Sequence, residues 1–223
     1  MKPFAYIFDL ESTLLTDSYK IYHQELKFIK RLGVNTNPHL IGKLHQMGSA
    51  AFWSMIKHTS GLYLSKEEYL RALDMFIFKF ITNHSSISLK PHAIELLEKI
   101  KKEKAKIGII SSQSKLRTEY ILDHFNLGSY IDDIATGDDI ITFKPKTDIY
   151  TIILDKMLVH PDSCVSIEET KKGVLDTNKV GIRSIYISPN LSENYEQALF
   201  SVSHLGEIEP KNIQLYEVCH HQG

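Results

Sequence analysis

Short apolar runs alternate with helical patterns along this sequence, and the alternation restricts the fold more than any other feature. Five runs bounded by polar or turn residues predict β-strands at residues 4–8, 106–110, 131–135, 164–167 and 184–187. Apolar residues at helical spacing predict helices at residues 91–102, 116–125 and 147–158. Strands that alternate with helices favour parallel pairing, with both faces of the sheet covered. We therefore predict an α/β fold built on a doubly wound parallel sheet.

A long helical stretch, residues 16–88, separates the first predicted strand from the second. It is too long for a simple crossover, and it contains the capping-box sequence Ser65-Lys66-Glu67-Glu68 before a helical pattern. We predict an inserted all-helical cap domain at 16–88 and a core domain made of 1–15 and 89–223. Open α/β sheets bind ligands beyond the carboxyl ends of their strands, so an insert that leaves the first strand would act as a lid.

Charge and cysteine content exclude several classes of protein. The chain of 223 residues has 26 Lys and Arg against 27 Asp and Glu, so no large net field attracts nucleic acid or an anionic membrane. There is neither a secretory signal pattern nor an apolar window long enough to span a membrane. The two cysteines are too few to staple a fold of this size, so we predict a cytoplasmic protein. Monomer and homodimer are both left open.

Two carboxylates, Asp9 and Glu11, lie at the end of the first predicted strand in the sequence Phe8-Asp9-Leu10-Glu11-Ser12-Thr13. Asp9 can act as a covalent nucleophile toward phosphorus, because an acyl phosphate divides one difficult displacement into two easier ones. Glu11 can protonate the leaving alkoxide and then accept a proton from the attacking water. A polar strand end that turns into a loop is the structural alternative.

Three further segments follow other predicted strands. Ser111 and Ser112 come directly after the second strand, Lys144 precedes a proline and a helix, and Glu168 and Glu169 precede a glycine and a helix. Hydroxyls and backbone amides at a helix start can bind an anion, and a lysine can bridge two anions. Each segment also has a structural interpretation: an N-cap, a solvated lysine, or acidic residues that complement a helix dipole.

Taken together, and in this order, the four segments resemble the motifs of the haloacid dehalogenase superfamily. The resemblance covers nearly the whole chain and is to the phosphatase and β-phosphoglucomutase-like branch, which carries a helical cap. It implies a Mg²⁺-dependent phosphoric monoester hydrolase that acts on a small phosphorylated metabolite through an aspartyl-phosphate intermediate. It assigns phosphate binding to Ser111, Ser112 and Lys144, and metal binding to Asp9, the carbonyl of Glu11, Glu169 and, as a neighbouring or water-mediated contact, Glu168.

The sequence departs from the family pattern at three positions. Glu11 and Glu169 stand where the family usually has Asp, and Ser12 replaces a glycine, so a positive φ at Ser12 would be strained. The longer Glu11 side chain moves the acid/base group outward by roughly 1.5 Å. Two alternatives remain open: a catalytically weak phosphate-binding or regulatory protein, and a sugar-phosphate mutase. The absence of an arginine around Gly42-Lys43-Leu44-His45 argues against the mutase.

Overall fold

Six parallel strands form one sheet in the structure, a computed structural model that describes residues 2–34, 49–61, 63–83, 87–140, 147–188 and 195–215. The strand order is β3-β2-β1-β4-β5-β6. The strands are β1 (Ala5–Asp9), β2 (Lys106–Ile110), β3 (Asp133–Ala135), β4 (Cys164–Glu168), β5 (Arg183–Ile187) and β6 (Phe200–Val202). The predicted α/β class and its five strands are confirmed. The sixth strand, β6, was not predicted from the sequence.

Seven α-helices lie in the described part of the chain. Three belong to the stretch between β1 and β2: α1 (Tyr19–Arg31), α2 (Ser49–Ser60) and α3 (Lys66–Asn83). Four pack around the sheet: α4 (Ala93–Lys102), α5 (Lys115–His124), α6 (Thr147–Met157) and α7 (Lys171–Lys179). The predicted capping box is present, since Ser65 N donates to Glu68 Oε2 at 2.8 Å and Glu68 N donates to Ser65 Oγ at 3.2 Å.

The central strand β1 is buried on both faces, which explains its continuous apolar sequence. Tyr6 and Phe8 point into one core cluster, and Ala5 and Ile7 point into the other, because successive side chains of a strand alternate between the two faces. The first cluster also contains apolar residues of α1, α2 and α3, so the helical insert packs against one face of the sheet. Phe52 is fully buried in this cluster.

The insert leaves and rejoins the core at adjacent points. Leu15 and Leu89 form an isolated antiparallel bridge, Thr16 N donates to the Ser88 carbonyl at 2.8 Å, and Lys90 N donates to the Leu14 carbonyl at 2.8 Å. The two connections therefore lie side by side at the carboxyl end of β1. The division into a cap at 16–88 and a core at 1–15 and 89–223 stays a prediction.

Two observations bear on the compositional predictions. No helix in the described residues is both long enough and apolar enough to cross a membrane. Cys164 is a free, buried cysteine, and burial raises the pKa of its thiol to about 12. Cys219 lies outside the described residues.

Candidate active site

The carboxyl ends of the three central strands bring Asp9, Ser111 and Glu168 to one edge of the sheet. Asp9 ends β1 and is in register with Ile110, so Ser111 is the next residue along the neighbouring strand. On the other side Phe8 is in register with Ile167, which places Glu168 at the level of Asp9. This is the edge at which open α/β sheets bind ligands.

The turn after β1 is a π-helical segment, Leu10–Leu14, that holds the Asp9 carboxylate in place. Ser12 N donates to Asp9 Oδ1 at 2.8 Å, and the Thr13 hydroxyl donates to the Ile167 carbonyl at 3.1 Å. These two hydrogen bonds connect the turn to the predicted nucleophile, Asp9, and to β4. Ser12 does not adopt a positive φ, so the strain expected from replacing glycine at this position does not arise.

Glu11 is buried at the centre of the site. Its Oε1 accepts a hydrogen bond from Ser111 Oγ at 2.8 Å. Burial, reinforced by the neighbouring Asp9 carboxylate, raises the pKa of Glu11 to about 7, while the bond from Ser111 acts in the opposite direction. A carboxyl group with a pKa near neutrality can both donate and accept a proton, which is the property required of a general acid and base.

The segment after β2 binds this carboxyl group and does not cap the following helix. Ser111 Oγ also accepts from Gln113 N at 3.1 Å, which gives the loop a tight turn directly after the strand. Ser112 is partly buried, and its Oγ lies 3.5 Å from Gln113 Nε2. The N-cap of α5 is Ser114, which accepts from Arg117 N at 3.1 Å. The structural interpretation of Ser111 and Ser112 as an N-cap is therefore wrong.

Glu168 and Glu169 face different surroundings. The buried Glu168 carboxylate accepts hydrogen bonds from the Tyr150 hydroxyl at 2.8 Å and from the Ser166 hydroxyl. Glu169 is partly exposed and forms an ion pair with Lys90. Burial, with a further contribution from the Asp9 charge, raises the pKa of Glu169, and Lys90 opposes that rise. Glu168 is thus bound within the core, and Glu169 faces the acidic site.

Lys90 is a site residue that the sequence analysis missed. Its ammonium donates to the Ser12 carbonyl at 2.5 Å as well as to Glu169, so it joins the turn after β1 to the residue after β4. The sequence Leu89-Lys90-Pro91 indicates only the return from the insert. The lysine that was predicted, Lys144, lies outside the described residues, and so do residues 42–45, which bear on a mutase. The phosphate-binding role of Lys144 stays a prediction.

The donor set assigned to Mg²⁺ consists of two carboxylates, Asp9 and Glu169, and the carbonyl of Glu11. Among the described residues, no three or more His, Cys, Asp or Glu side chains are grouped closely enough to hold a metal ion. Mg²⁺ does not require such a group, since it commonly binds one or two carboxylates and completes its octahedron with water and substrate oxygens. Glu169 and Asp9 also repel one another electrostatically, and a cation would relieve that repulsion. The residues present therefore fit Mg²⁺.

A buried arginine links the insert to the site and was also missed from the sequence. Arg117 of α5 is fully buried, and its Nε donates to Asp74 Oδ1 at 2.8 Å, while Nη1 lies 3.5 Å from Glu25 Oε2. Nη1 also donates to Gln113 Oε1 at 2.7 Å, in the loop that carries Ser111. Asp74 and Glu25 belong to α3 and α1, so the insert and the segment after β2 share one guanidinium. An arginine in a polar helix ordinarily predicts an exposed side chain.

One cavity lies next to Glu169. This cavity of about 240 Å³ lies beside the ion pair and is lined by residues that include Lys90, Glu169, Ser203 and His204. A second cavity of about 470 Å³ lies near Lys115 and contains none of the predicted site residues.

Comparisons with known proteins bear on the family and the fold of the chain. A family model described as haloacid dehalogenase-like hydrolase matches residues 6–187. A phosphorylated carbohydrates phosphatase from Thermotoga maritima is 28% identical over 123 residues, which are 55% of this chain and 56% of that relative. The match therefore spans little more than half of the relative's length.

Solved structures share the fold over nearly the whole chain. The crystal structure of CbbY from Rhodobacter sphaeroides in complex with phosphate has a TM-score of 0.76 at 20% identity and covers 92% of this chain and 96% of that chain. A β-phosphoglucomutase from Clostridium difficile has a TM-score of 0.73 at 22% identity and covers 92% and 93% of the two chains. At these identities the likeness concerns the fold alone.

Proposed function

The chain belongs to the haloacid dehalogenase-like hydrolases, and we propose that it is a Mg²⁺-dependent phosphoric monoester hydrolase acting on a small phosphorylated metabolite. One observation carries the proposal: the Glu11 carboxyl group is buried beside Asp9 and accepts a hydrogen bond from Ser111 Oγ at 2.8 Å. Its burial raises its pKa to about 7. A carboxylate nucleophile next to a carboxyl group that titrates near neutrality is the pair that ester cleavage in two steps requires.

In the first step the Asp9 carboxylate attacks phosphorus, and the phosphorus–oxygen bond to the leaving group breaks. The hydrogen bond from Ser12 N to Asp9 Oδ1, at 2.8 Å, restricts rotation of the carboxylate and so favours one attack direction. Protonated Glu11 gives its proton to the leaving alkoxide. The products of this step are the free alcohol and an aspartyl phosphate.

In the second step water hydrolyses the aspartyl phosphate, and ionised Glu11 takes a proton from that water. Ser111, Ser112 and Lys144 are the residues proposed to bind the phosphoryl oxygens. Mg²⁺, held by Asp9, the Glu11 carbonyl and Glu169, would neutralise phosphate charge. Inorganic phosphate is released, and Asp9 and protonated Glu11 are regenerated, so the cycle consumes only the ester and water.

The proposal is tested by Mg²⁺-dependent release of phosphate from a panel of small phosphate esters. Sugar phosphates come first, because the Thermotoga maritima relative bears the name of a phosphatase of phosphorylated carbohydrates. Asp9→Asn should abolish release, and Asp17→Asn, a change in an exposed ion pair with Lys20, should leave it unchanged. When the phosphoryl group of the ester is labelled, the label should be incorporated into the wild type and not into Asp9→Asn. Equal release by the wild type and Asp9→Asn would contradict the proposal.

A second candidate is a catalytically weak protein that binds a phosphorylated ligand. It is favoured by the internal partners of two site residues, since Glu169 is paired with Lys90 and the Ser111 hydroxyl donates to Glu11. The same assay separates the candidates. Binding of a phosphate ester measured by calorimetry, with no turnover above the Asp9→Asn background, would support this second function.

A further inference from the structure

A single ammonium group connects the two sides of the acidic site. Lys90 Nζ donates to the Ser12 carbonyl at 2.5 Å and to the Glu169 carboxylate. The side chains of the ion pair are 23% and 25% exposed, so the pair is largely shielded from water. Lys90 thus contacts both the turn that carries the Glu11 carbonyl and the carboxylate that follows β4.

The position of Lys90 follows from its backbone. Lys90 N donates to the Leu14 carbonyl at 2.8 Å, one residue after the bridge between Leu15 and Leu89. Pro91 restricts the backbone on the other side. The lysine is therefore anchored to the same turn that its ammonium reaches.

The charges around Lys90 make its ammonium the counter-ion of the site. Asp9 ends β1 beside the turn whose Ser12 carbonyl accepts from Lys90, and Glu168, the residue before Glu169, lies at the level of Asp9 in the sheet. The ion pair with Lys90 places a positive charge at the Glu169 carboxylate. Like charges in a partly buried site need a cation nearby, because the effective dielectric there is lower than in water.

We propose that Lys90 is the resident counter-ion of the acidic site and competes with the divalent cation for the Glu169 carboxylate. The inference rests on the metal assignment of the proposed function. A carboxylate that binds Mg²⁺ cannot keep the same tight contact with an ammonium, because the two cations repel one another. Mg²⁺ binding must therefore displace or weaken the Lys90 contact, and this requirement lowers the affinity for Mg²⁺.

Calorimetric titration with MgCl₂ alone tests the competition without any substrate. Lys90→Met should bind Mg²⁺ about tenfold tighter than the wild type, which corresponds to about 1.4 kcal/mol. Lys90→Arg keeps the charge and should stay within about threefold of the wild type. The matched control is Lys172→Met. This lysine is close to Glu169 in sequence but pairs with Asp176 at 2.8 Å, and its removal should change Mg²⁺ affinity little.

Thermal unfolding supplies a second measurement. In EDTA, Lys90→Met should melt below the wild type because its carboxylates lack a counter-ion, and Mg²⁺ should raise its melting temperature more than that of the wild type. If the Met variant does not fold, Lys90→Gln takes its place.

Several results would overturn the inference. The inference fails if Lys90→Met binds Mg²⁺ no more tightly than the wild type does. It also fails if Lys172→Met gains as much Mg²⁺ affinity as Lys90→Met. If neither the wild type nor the Lys90 variants bind Mg²⁺, both the inference and the metal assignment fail. Tighter binding in Lys90→Met together with full phosphate release by Asp9→Asn would uphold the inference and refute the proposed function.

Discussion

The substitution Asp74→Ala removes one anion from a charge cluster that joins the helical insert to the core. Asp74 is 2% exposed, and its two carboxylate oxygens accept from Arg117 Nε and from Ser114 Oγ, each at 2.8 Å. Without this carboxylate, the fully buried guanidinium retains Glu25 at 3.5 Å and Gln113 at 2.7 Å. The change thus leaves a buried cation with fewer compensating contacts.

The expected cost follows from burial. Removing one partner of a buried ion pair generally costs about 3–5 kcal/mol, because the other charge is left in a medium that solvates it poorly. Because Glu25 still faces Arg117, we expect the lower end, about 3 kcal/mol. A loss of this size is a large fraction of the stability of a typical domain, about 5–15 kcal/mol.

Equilibrium unfolding in urea measures the loss. The matched control is Glu119→Ala on the same helix, α5, whose ion pair with Lys115 is 3.7 Å long and joins side chains that are 60% and 49% exposed. Exposed pairs of this kind contribute about 0.5 kcal/mol or less, so the control should be nearly neutral. A loss below about 1 kcal/mol for Asp74→Ala, or losses of equal size in both variants, would refute the reasoning from burial.

Two further predictions concern Glu11 and Gly173. The folded-state pKa of Glu11, about 7, lies above its ordinary value of 4.5. Protonated Glu11 therefore contributes its full stability below pH 4.5, and this contribution is lost as the pH rises through 7. Glu11→Gln should therefore stabilise the protein more at pH 8 than at pH 5 when unfolding is measured in EDTA, and a difference that does not vary with pH would contradict this. A Cβ at Gly173 would lie 2.1 Å from Glu168 Oε2, so Gly173→Ala should lower stability by about 1–3 kcal/mol in thermal unfolding. A gain of about 0.5–1 kcal/mol, the usual effect of alanine within a helix, would show that Glu168 moves aside without cost.

The order of elements could be predicted from the sequence because it depends on local patterns. The apolar run around Tyr6 and Phe8 predicts a strand buried on both faces, and the helical spacing between strands predicts a parallel sheet. Parallel strands end at one edge, so the strand pattern alone predicts that Asp9 and Ser111 lie near one another, and the register of β1 and β2 agrees. The capping box at Ser65 likewise depends on neighbouring residues alone.

The role of each side chain within the site depended on contacts between residues distant in sequence. Ser111 donates to Glu11 across 100 positions, and this bond shows that the longer glutamate side chain reaches a partner. Ser111 also proved not to cap α5, since Ser114 occupies that position. A helix start can be located from sequence to within a few residues, but the choice among nearby serines depends on how the strand end is held.

The sequence by itself determined the fold class and the placement of carboxylates at the ends of neighbouring strands, since these follow from periodicity and from the parallel direction of the strands. Only the tertiary structure decided which cations face those carboxylates. Lys90 pairs with Glu169 across 79 positions, and Arg117 pairs with Asp74 across 43. The residues next to Lys90 and Arg117 in the sequence do not indicate whether either side chain is exposed or buried. Charge pairing acts through space, so it is settled when the chain packs.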